Sequence, residues 1–359
     1  MLIFRQKAEI CKKLVNKFLN SKKGRQDMGF IEELKSKLTG EPVRIVFPEG
    51  EEPRIVAAAV KIAEDGFAVP ILVGSPEQIA AAAAEAGVDA SGIESIDPQT
   101  TEKLDEYVER YSAETKFPAV AAKVLMKKPL GFAAAMTRFG DADAYVGGAI
   151  NRTSDVIQNC RQIIGMEEGI KTPSSFMVMH TPHFAVEEGN AIVFADPGVN
   201  MQPDSAMLAD IAIASARSTK RLLGWEPRVA MLSFSTAGSA RHADVDKVIE
   251  AVKIVKEKEP DLLIDGEMQA DAAIVPSVAK TKIKGESPVA GRANVLVFPD
   301  LDAANISFKL VQRMGDAGAY GPFLQGFAKT ASDLSRGCTV DDVVGVAVMA
   351  ALEAQGRRK

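Results

Sequence analysis

From residue 43 onward the chain repeats one unit, a short apolar run closed by proline or glycine and then a longer alanine-rich stretch. Residues 44–47 are the first such run, closed by Pro48-Glu49-Gly50, and residues 54–64 carry helical spacing. Residues 69–73, then Gly74-Ser75-Pro76, then residues 77–86 repeat the pattern. This alternation constrains the fold more than any other feature, because apolar runs joined by helical crossovers bury both faces only in a helix-covered parallel sheet. The expected class is therefore α/β, with parallel-rich sheets flanked by helices. At 359 residues, 47% of them hydrophobic, the chain can form two such domains with a cleft between them.

Further along, residues 101–126 read as helix with a break near Lys116-Phe117-Pro118, and residues 131–138 as a small-residue helix. Residues 144–146 read as a strand, and residues 174–180 with 191–195 as an apolar hairpin-like pair. Residues 204–223 form one long helix whose alanines suit close packing against another helix. Residues 228–234, 262–265 and 294–298 read as strands, and residues 245–257 and 304–314 as helices. Alanine-rich helices of this kind report core packing and propensity, with no chemistry implied.

A net charge of −5 leaves no basic surplus to offset a nucleic-acid backbone. Cys11, Cys160 and Cys338 are widely spaced, which suggests neither a disulfide framework nor a zinc site and fits a reducing cytoplasm. No run approaches the roughly twenty apolar residues of a membrane-spanning helix. Residues 1–27 differ from the rest, with Lys and Arg eight times against Glu9 and Asp27 only. They read as a solvated extension, or as the product of an upstream start codon with Met28 as the real beginning. Ile3, Ile10, Leu14, Val15 and Phe18 on one stripe offer the alternative of a partner-binding helix.

Three stretches carry candidate chemistry. Gly147-Gly148 follows a strand and leads to Thr153 and Ser154 at a helix entry, where backbone amides can meet a phosphate. An ordinary tight turn with a cap explains the same residues. Ser235-Thr236-Ala237-Gly238-Ser239 also follows a strand and can form an anion-binding nest of amides and hydroxyls. It lacks the lysine of a nucleotide phosphate loop, and no GxGxxG follows a strand, which disfavours dinucleotide binding. Within residues 321–344, Ser335, Arg336, Asp341 and Asp342 fall inside eight residues. Thr339 followed three residues later by Asp342 matches a capping box. Lys309 and Arg313 share one face of the preceding helix, where they can hold phosphate.

Two metal readings are weaker. His180 and His183 lack an acid or Cys at ligand spacing and read as hydrogen-bonded or solvent-facing. Asp265, Glu267 and Asp271 could serve as magnesium ligands, but such carboxylates also cap helices and pair with basic side chains. No metal is assigned.

The stretches KGESPVAGRANVLVFPDLDAANISFKLVQRM and GPFLQGFAKTASDLSRGCTVDDVV resemble the phosphate acetyltransferase family, which includes phosphate butyryltransferases. GDADAYVGGA, FADPGVN, PRVAMLSFSTAGSA and DGEMQADAA match it too, in the same order, over residues 42–355. The resemblance implies a discontinuous first domain of residues 28–168 plus 321–359, a second of residues 169–320, and a homodimer. It implies reversible transfer of an acetyl group between acetyl phosphate and coenzyme A, with no further cofactor, no nucleic acid and no membrane. Asp342 would take the thiol proton, Ser335 would orient the carbonyl or thiol, and Arg313 and Arg336 would hold the phosphate. Ser235, Thr236, Gly238, Ser239, Thr153 and Arg161 would line the substrate site. Arg110 and Lys116 alone stand where the family carries an arginine-rich coenzyme patch, so Arg110 is the coenzyme candidate.

The chain departs from the family at Gln158, where an arginine is usual, leaving Arg161 or Arg152 to substitute. That departure keeps a phosphate butyryltransferase, or another short-chain acyltransferase, as an alternative. A non-catalytic acetyl-CoA-binding module is a second, although no malic-enzyme domain is fused here. A carboxylate's ordinary pKa lies about four units below a thiol's, so either burial of the acid or a cation beside the thiol must close the gap.

Overall fold

The computed structural model describes residues 29–358, so the extension read over residues 1–27 lies outside the described residues. In chain order the elements begin α1 (residues 29–35), β1 (Val43–Phe47), α2 (Pro53–Asp65), β2 (Ala68–Val73), α3 (Pro76–Ala86) and β3 (Glu94–Ile96). Then come α4 (Lys103–Thr115), α5 (Ala119–Met126), α6 (Pro129–Phe139), β4 (Ala144–Gly147) and α7 (Thr153–Asn159), which runs into a π-helical turn at Cys160–Ile164. The middle of the chain holds β5 (Ser174–His180), β6 (Ala191–Ala195), α8 (Ser205–Leu223), β7 (Arg228–Leu232), α9 (Ala243–Lys258) and β8 (Leu263–Met268). It closes with α10 (Ala270–Ile274), α11 (Pro276–Lys282), β9 (Val295–Val297), α12 (Leu301–Met314), β10 (Gly318–Gln325), β11 (Thr330–Asp333) and α13 (Val340–Arg358).

These strands form two sheets. The first has the order β11-β4-β1-β2-β3 and is parallel throughout. The second has the order β10-β5-β6-β9-β7-β8; β6, β9, β7 and β8 are parallel, and β5 and β10 add an antiparallel edge. In β1 and β4, side chains alternate between two cores. Ile45, Phe47, Ala144 and Val146 pack with α2 and α13, while Val46 and Tyr145 pack with α4, α5 and α6. That period of two is what a sheet covered on both faces requires.

Local signals set the helix ends. Ser75 and Gln78 close a capping box at α3, and Asp204 caps α8 by accepting from the Met207 N–H at 2.8 Å. Gly66 stops α2 in the left-handed region at φ 70°, where a side chain would be strained. The helix expected over 101–126 divides where Pro118 follows Phe117, because the residue before a proline is disfavoured as helix.

The two segments that pass between the sheets run side by side. The Glu167 N–H donates to the Gly326 carbonyl at 2.9 Å, and the Ala328 N–H to the Gly165 carbonyl at 3.0 Å. Glu167 gathers Arg217, Arg221 and Arg357 there, and those guanidinium groups hold its carboxyl below the usual range despite the opposing effect of burial. The boundary expected at residue 321 falls inside β10. That strand follows β5 through Gln325, so the change of sheet lies between Gln325 and Thr330. Neither β10 nor β11 reads as a strand locally, because Gly318, Gly321 and Pro322 break the first and the second is the short, half-polar run Thr330-Ala331-Ser332-Asp333.

Helix α13 bridges the first sheet and the helix layer of the second. It packs on α2, β1 and β4 of the first sheet and on α8, with Val343, Ala347, Val348, Met349 and Ala351 fully buried. Each of the larger side chains contributes about 1.5–3 kcal/mol on burial. Helix α8, whose alanines suit close helix packing, packs on both α9 and α13.

Candidate active site

In the first sheet β1→β2→β3 runs one way and β4 lies on the other side of β1, so the order reverses between β1 and β4. Ligands of open α/β sheets bind at the carboxyl ends of strands at such a reversal. The loops leaving β1, β4 and β11 meet at this end and carry Glu49 to Arg54, Gly148 to Thr153, and Ser335 to Thr339.

Glu49 is 1% exposed and its carboxylate occupies the loop after β4. One oxygen accepts from the Gly148 and Ala149 N–H groups at 2.9 and 2.8 Å, the other from those of Ile150 and Asn151 at 3.0 and 2.9 Å. The Asn151 side-chain amide adds a fifth donor at 2.8 Å. The sequence offers this stretch as a helix entry where amides can meet a phosphate at Thr153 and Ser154; on the amides of Gly148 to Asn151 the anion in this structure is the chain's own carboxylate. Gly148 stands at φ 109°, and a Cβ there would meet Asp333 Oδ1 at 2.1 Å, so no other residue fits.

Arg54, in the first turn of α2, holds the opposite edge. Its Nη1 donates to the carbonyls of Arg336 and Cys338 at 3.0 and 2.8 Å, its Nη2 to that of Ala149 at 3.2 Å, and its Nε to Glu52 at 2.6 Å. A cation in a helix's first turn opposes the helix dipole. That mismatch is the only local sign of its role. Glu49 and Arg54 are both missed by motif reasoning, which treats Pro48-Glu49-Gly50 as a strand stop.

The loop after β11 carries the expected catalytic group. Ser335 and Arg336 are exposed, and Ser335 Oγ accepts from the Gly337 N–H at 3.2 Å. Thr339 and Asp342 form the expected capping box: Asp342 Oδ2 accepts from the Thr339 N–H and hydroxyl at 2.8 and 2.9 Å, and Thr339 Oγ1 accepts from the Asp342 N–H at 3.2 Å. Asp342 is exposed, and Arg336 makes no ion pair among the described residues. Asp333 does not pair with Arg336. It is 8% exposed, accepts from the Thr153 hydroxyl, and leaves Oδ1 buried without a partner among the described residues. Burial pushes its carboxyl up to about 6 against the opposing Thr153 bond, and the Glu49 charge adds to the rise.

Other candidates lie around this core. Gln158 and Arg161 line one shallow groove of about 610 Å³ with Ser154, Ile157 and Gln162, where the helix widens into its π turn and the Gly165 N–H reaches the Cys160 carbonyl at 3.0 Å. Arg110 pairs with Glu106 at 3.2 Å and stacks on Phe139 at 4.2 Å, in the helical layer across the first sheet from α13. Arg313 and Lys309 are exposed on α12, and Arg313 makes no hydrogen bond or ion pair among the described residues.

On the second sheet, Ser235 and Thr236 are buried while Gly238 and Ser239 are exposed. The nest they form is also filled from within. Glu267 Oε1 accepts from the Ser235 hydroxyl and the Gly238 N–H, both at 2.8 Å, and Ser239 Oγ accepts from the Thr236 N–H at 3.0 Å. A phosphate at this position has to displace Glu267. No hydrogen bond or ion pair among the described residues joins these residues, or Arg313, to Ser335, Arg336 or Asp342.

The magnesium reading does not assemble. Asp265 accepts from the Gly266 N–H and the Ser287 hydroxyl, Asp271 pairs with Lys282 at 2.7 Å, and Glu267 serves the nest. Among the described residues no group of three or more His, Cys, Asp and Glu is placed to hold a metal ion. His180 stacks on Phe30 with ring centres 5.0 Å apart.

A family model described as phosphate acetyl/butaryl transferase matches residues 29–351. A phosphate acetyltransferase of Thermoanaerobacterium thermosaccharolyticum is 45% identical over 331 residues, covering 91% of this chain and 100% of that protein. One from Bacillus subtilis is 42% identical over 324 residues, covering 89% and 98%. Among solved structures, the EutD phosphotransacetylase from Staphylococcus aureus superposes with a TM-score of 0.82 at 39% identity, covering 91% and 99%.

Proposed function

The chain belongs to the phosphate acetyl/butaryl transferase family, and on that premise we propose that it passes an acetyl group reversibly between acetyl phosphate and coenzyme A, with Ser335, Arg336 and Asp342 as the reacting centre. It is an acyltransferase. What supports the residue assignment is one stretch: after β11 and into the first turn of α13, a hydroxyl, a guanidinium with no ion pair among the described residues, and a carboxylate stand exposed within eight residues at the carboxyl end of a parallel sheet.

In the forward direction the coenzyme thiol gives its proton to Asp342, and the sulfur attacks the acetyl carbonyl. The carbon–sulfur bond forms, the bond from that carbon to the phosphate oxygen breaks, and inorganic phosphate leaves with the electron pair. Arg336 would stabilise both the thiolate and the departing phosphate charge. Arg313 and Arg161 are the other cations assigned to the acyl phosphate, and Arg110 to the coenzyme. Ser235, Thr236, Gly238, Ser239 and Thr153 are the residues assigned to complete the substrate surface. Direct attack in a ternary complex needs no cofactor beyond coenzyme A.

We further propose a cytoplasmic homodimer. Ile306, Leu310 and Met314 form an apolar stripe on α12, being 56%, 51% and 82% exposed, and a second copy would cover them. No helix among the described residues is long and apolar enough to cross a membrane.

The test is thioester formation from coenzyme A with acetyl, propionyl and butyryl phosphate side by side, before and after chelation. Acetyl phosphate should be turned over fastest, and chelation should leave the rate unchanged. A preference for butyryl phosphate would move the chain to the other branch of the family. Binding of acetyl-CoA without any turnover would favour the regulatory module.

A further inference from the structure

We infer that Arg54 is a positioning residue for the reacting centre, acting through two peptide planes. A trans peptide places its carbonyl and its N–H on opposite sides. The Arg336 carbonyl faces Arg54 Nη1 at 3.0 Å, and the N–H on the far side of that peptide, Gly337's, is the one that holds Ser335 Oγ at 3.2 Å. The Cys338 carbonyl faces the same Nη1 at 2.8 Å, and the N–H beyond it, Thr339's, holds Asp342 Oδ2 at 2.8 Å. One guanidinium nitrogen therefore sets the orientation of both amides that fix the hydroxyl and the carboxylate.

The rest of the guanidinium is anchored so that this nitrogen cannot wander. Nε is held by Glu52, the cap of α2, at 2.6 Å, and Nη2 by the Ala149 carbonyl at 3.2 Å. The peptide that Nη2 grips is itself gripped from behind, because the Ile150 N–H donates to Glu49 at 3.0 Å. Glu49 and Arg54 leave the same strand and hold complementary faces of neighbouring loops, the carboxylate taking N–H groups and the guanidinium taking carbonyls. Lysine cannot reproduce this, since an ammonium is a single point with no planar fork.

The inference rests on the reaction proposed above, and its test is kinetic. In Arg54→Ala, kcat for thioester formation should fall about thirtyfold while KM for acetyl phosphate and coenzyme A stays within about threefold, because alignment is lost and substrate contacts are not. Ethylguanidinium added to that variant should restore most of kcat, and ethylammonium should not. Arg54→Lys should lose about tenfold in kcat with KM kept, and it carries the test if the alanine variant does not fold. An unchanged kcat in either variant, a loss confined to KM, or a loss in the folded alanine variant that ethylguanidinium leaves in place overturns the positioning role. A wild-type chain that makes no thioester removes the reaction and the role together, whereas an active wild type with unaffected variants removes the role alone.

Discussion

Thr339 and Asp342 bond each other in both directions, with Asp342 Oδ2 accepting from the Thr339 N–H at 2.8 Å and Thr339 Oγ1 accepting from the Asp342 N–H at 3.2 Å. The carboxylate that begins α13 is therefore also the one assigned to the thiol proton. The two roles separate on substitution. Asp342→Asn keeps an acceptor for the cap, so stability should fall by about 1 kcal/mol or less, whereas kcat should fall about a hundredfold with KM little changed. Thr339→Ala should lower the melting temperature and preserve most of the turnover. A near-normal kcat in Asp342→Asn, measured beside unfolding, would transfer the activation of the thiol to Arg336.

The loop after β4 should depend on Glu49 for its shape. In Glu49→Gln one oxygen is replaced by an NH₂ that faces backbone donors, leaving two buried N–H groups without an acceptor, a loss of about 3 kcal/mol at the usual cost of an unmade bond. Urea unfolding measures it. A midpoint unchanged from wild type would show that the nest holds without its carboxylate.

Asp333 gives a stability change with a definite sign. Its folded pKa of about 6 lies above the unfolded value of 3.8, so the folded state binds the proton more tightly. Its contribution is fully present below the unfolded value and is lost as pH rises through about 6. Asp333→Asn cannot ionise. Relative to wild type, its unfolding free energy should therefore rise by about 2.4 kcal/mol between pH 4 and 7.5, at about 1.4 kcal/mol per unit. Parallel pH profiles of wild type and variant would contradict the burial of a chargeable carboxyl there.

Gln158 shares its groove with Arg161. Gln158→Arg should lower the acyl phosphate KM about tenfold, the effect of one charge-assisted contact of about 1.5 kcal/mol, and leave the coenzyme KM alone. Initial-rate kinetics with each substrate varied decide it. An unchanged KM would mean that Arg161 or Arg152 already holds the phosphate.

The sequence by itself determined what depends on near neighbours. The capping box joins Thr339 and Asp342, three positions apart, and the break between α4 and α5 rests on Pro118, so both were legible from the chain alone. So was the alternation that makes the first sheet parallel and the second parallel-rich. The amide nests were legible only by half. Small residues after a strand expose the donors, but the acceptor comes from far away: Glu49 is separated by 99 residues from Gly148, and Glu267 by 32 from Ser235. The strand β11 was hidden for the same reason. Thr330-Ala331-Ser332-Asp333 has no strand pattern, and it is buried because β4 pairs with it and α13 covers it. Only tertiary structure decided which charge fills which nest, because a buried carboxylate must find its donors wherever the sheet order brings strand ends together.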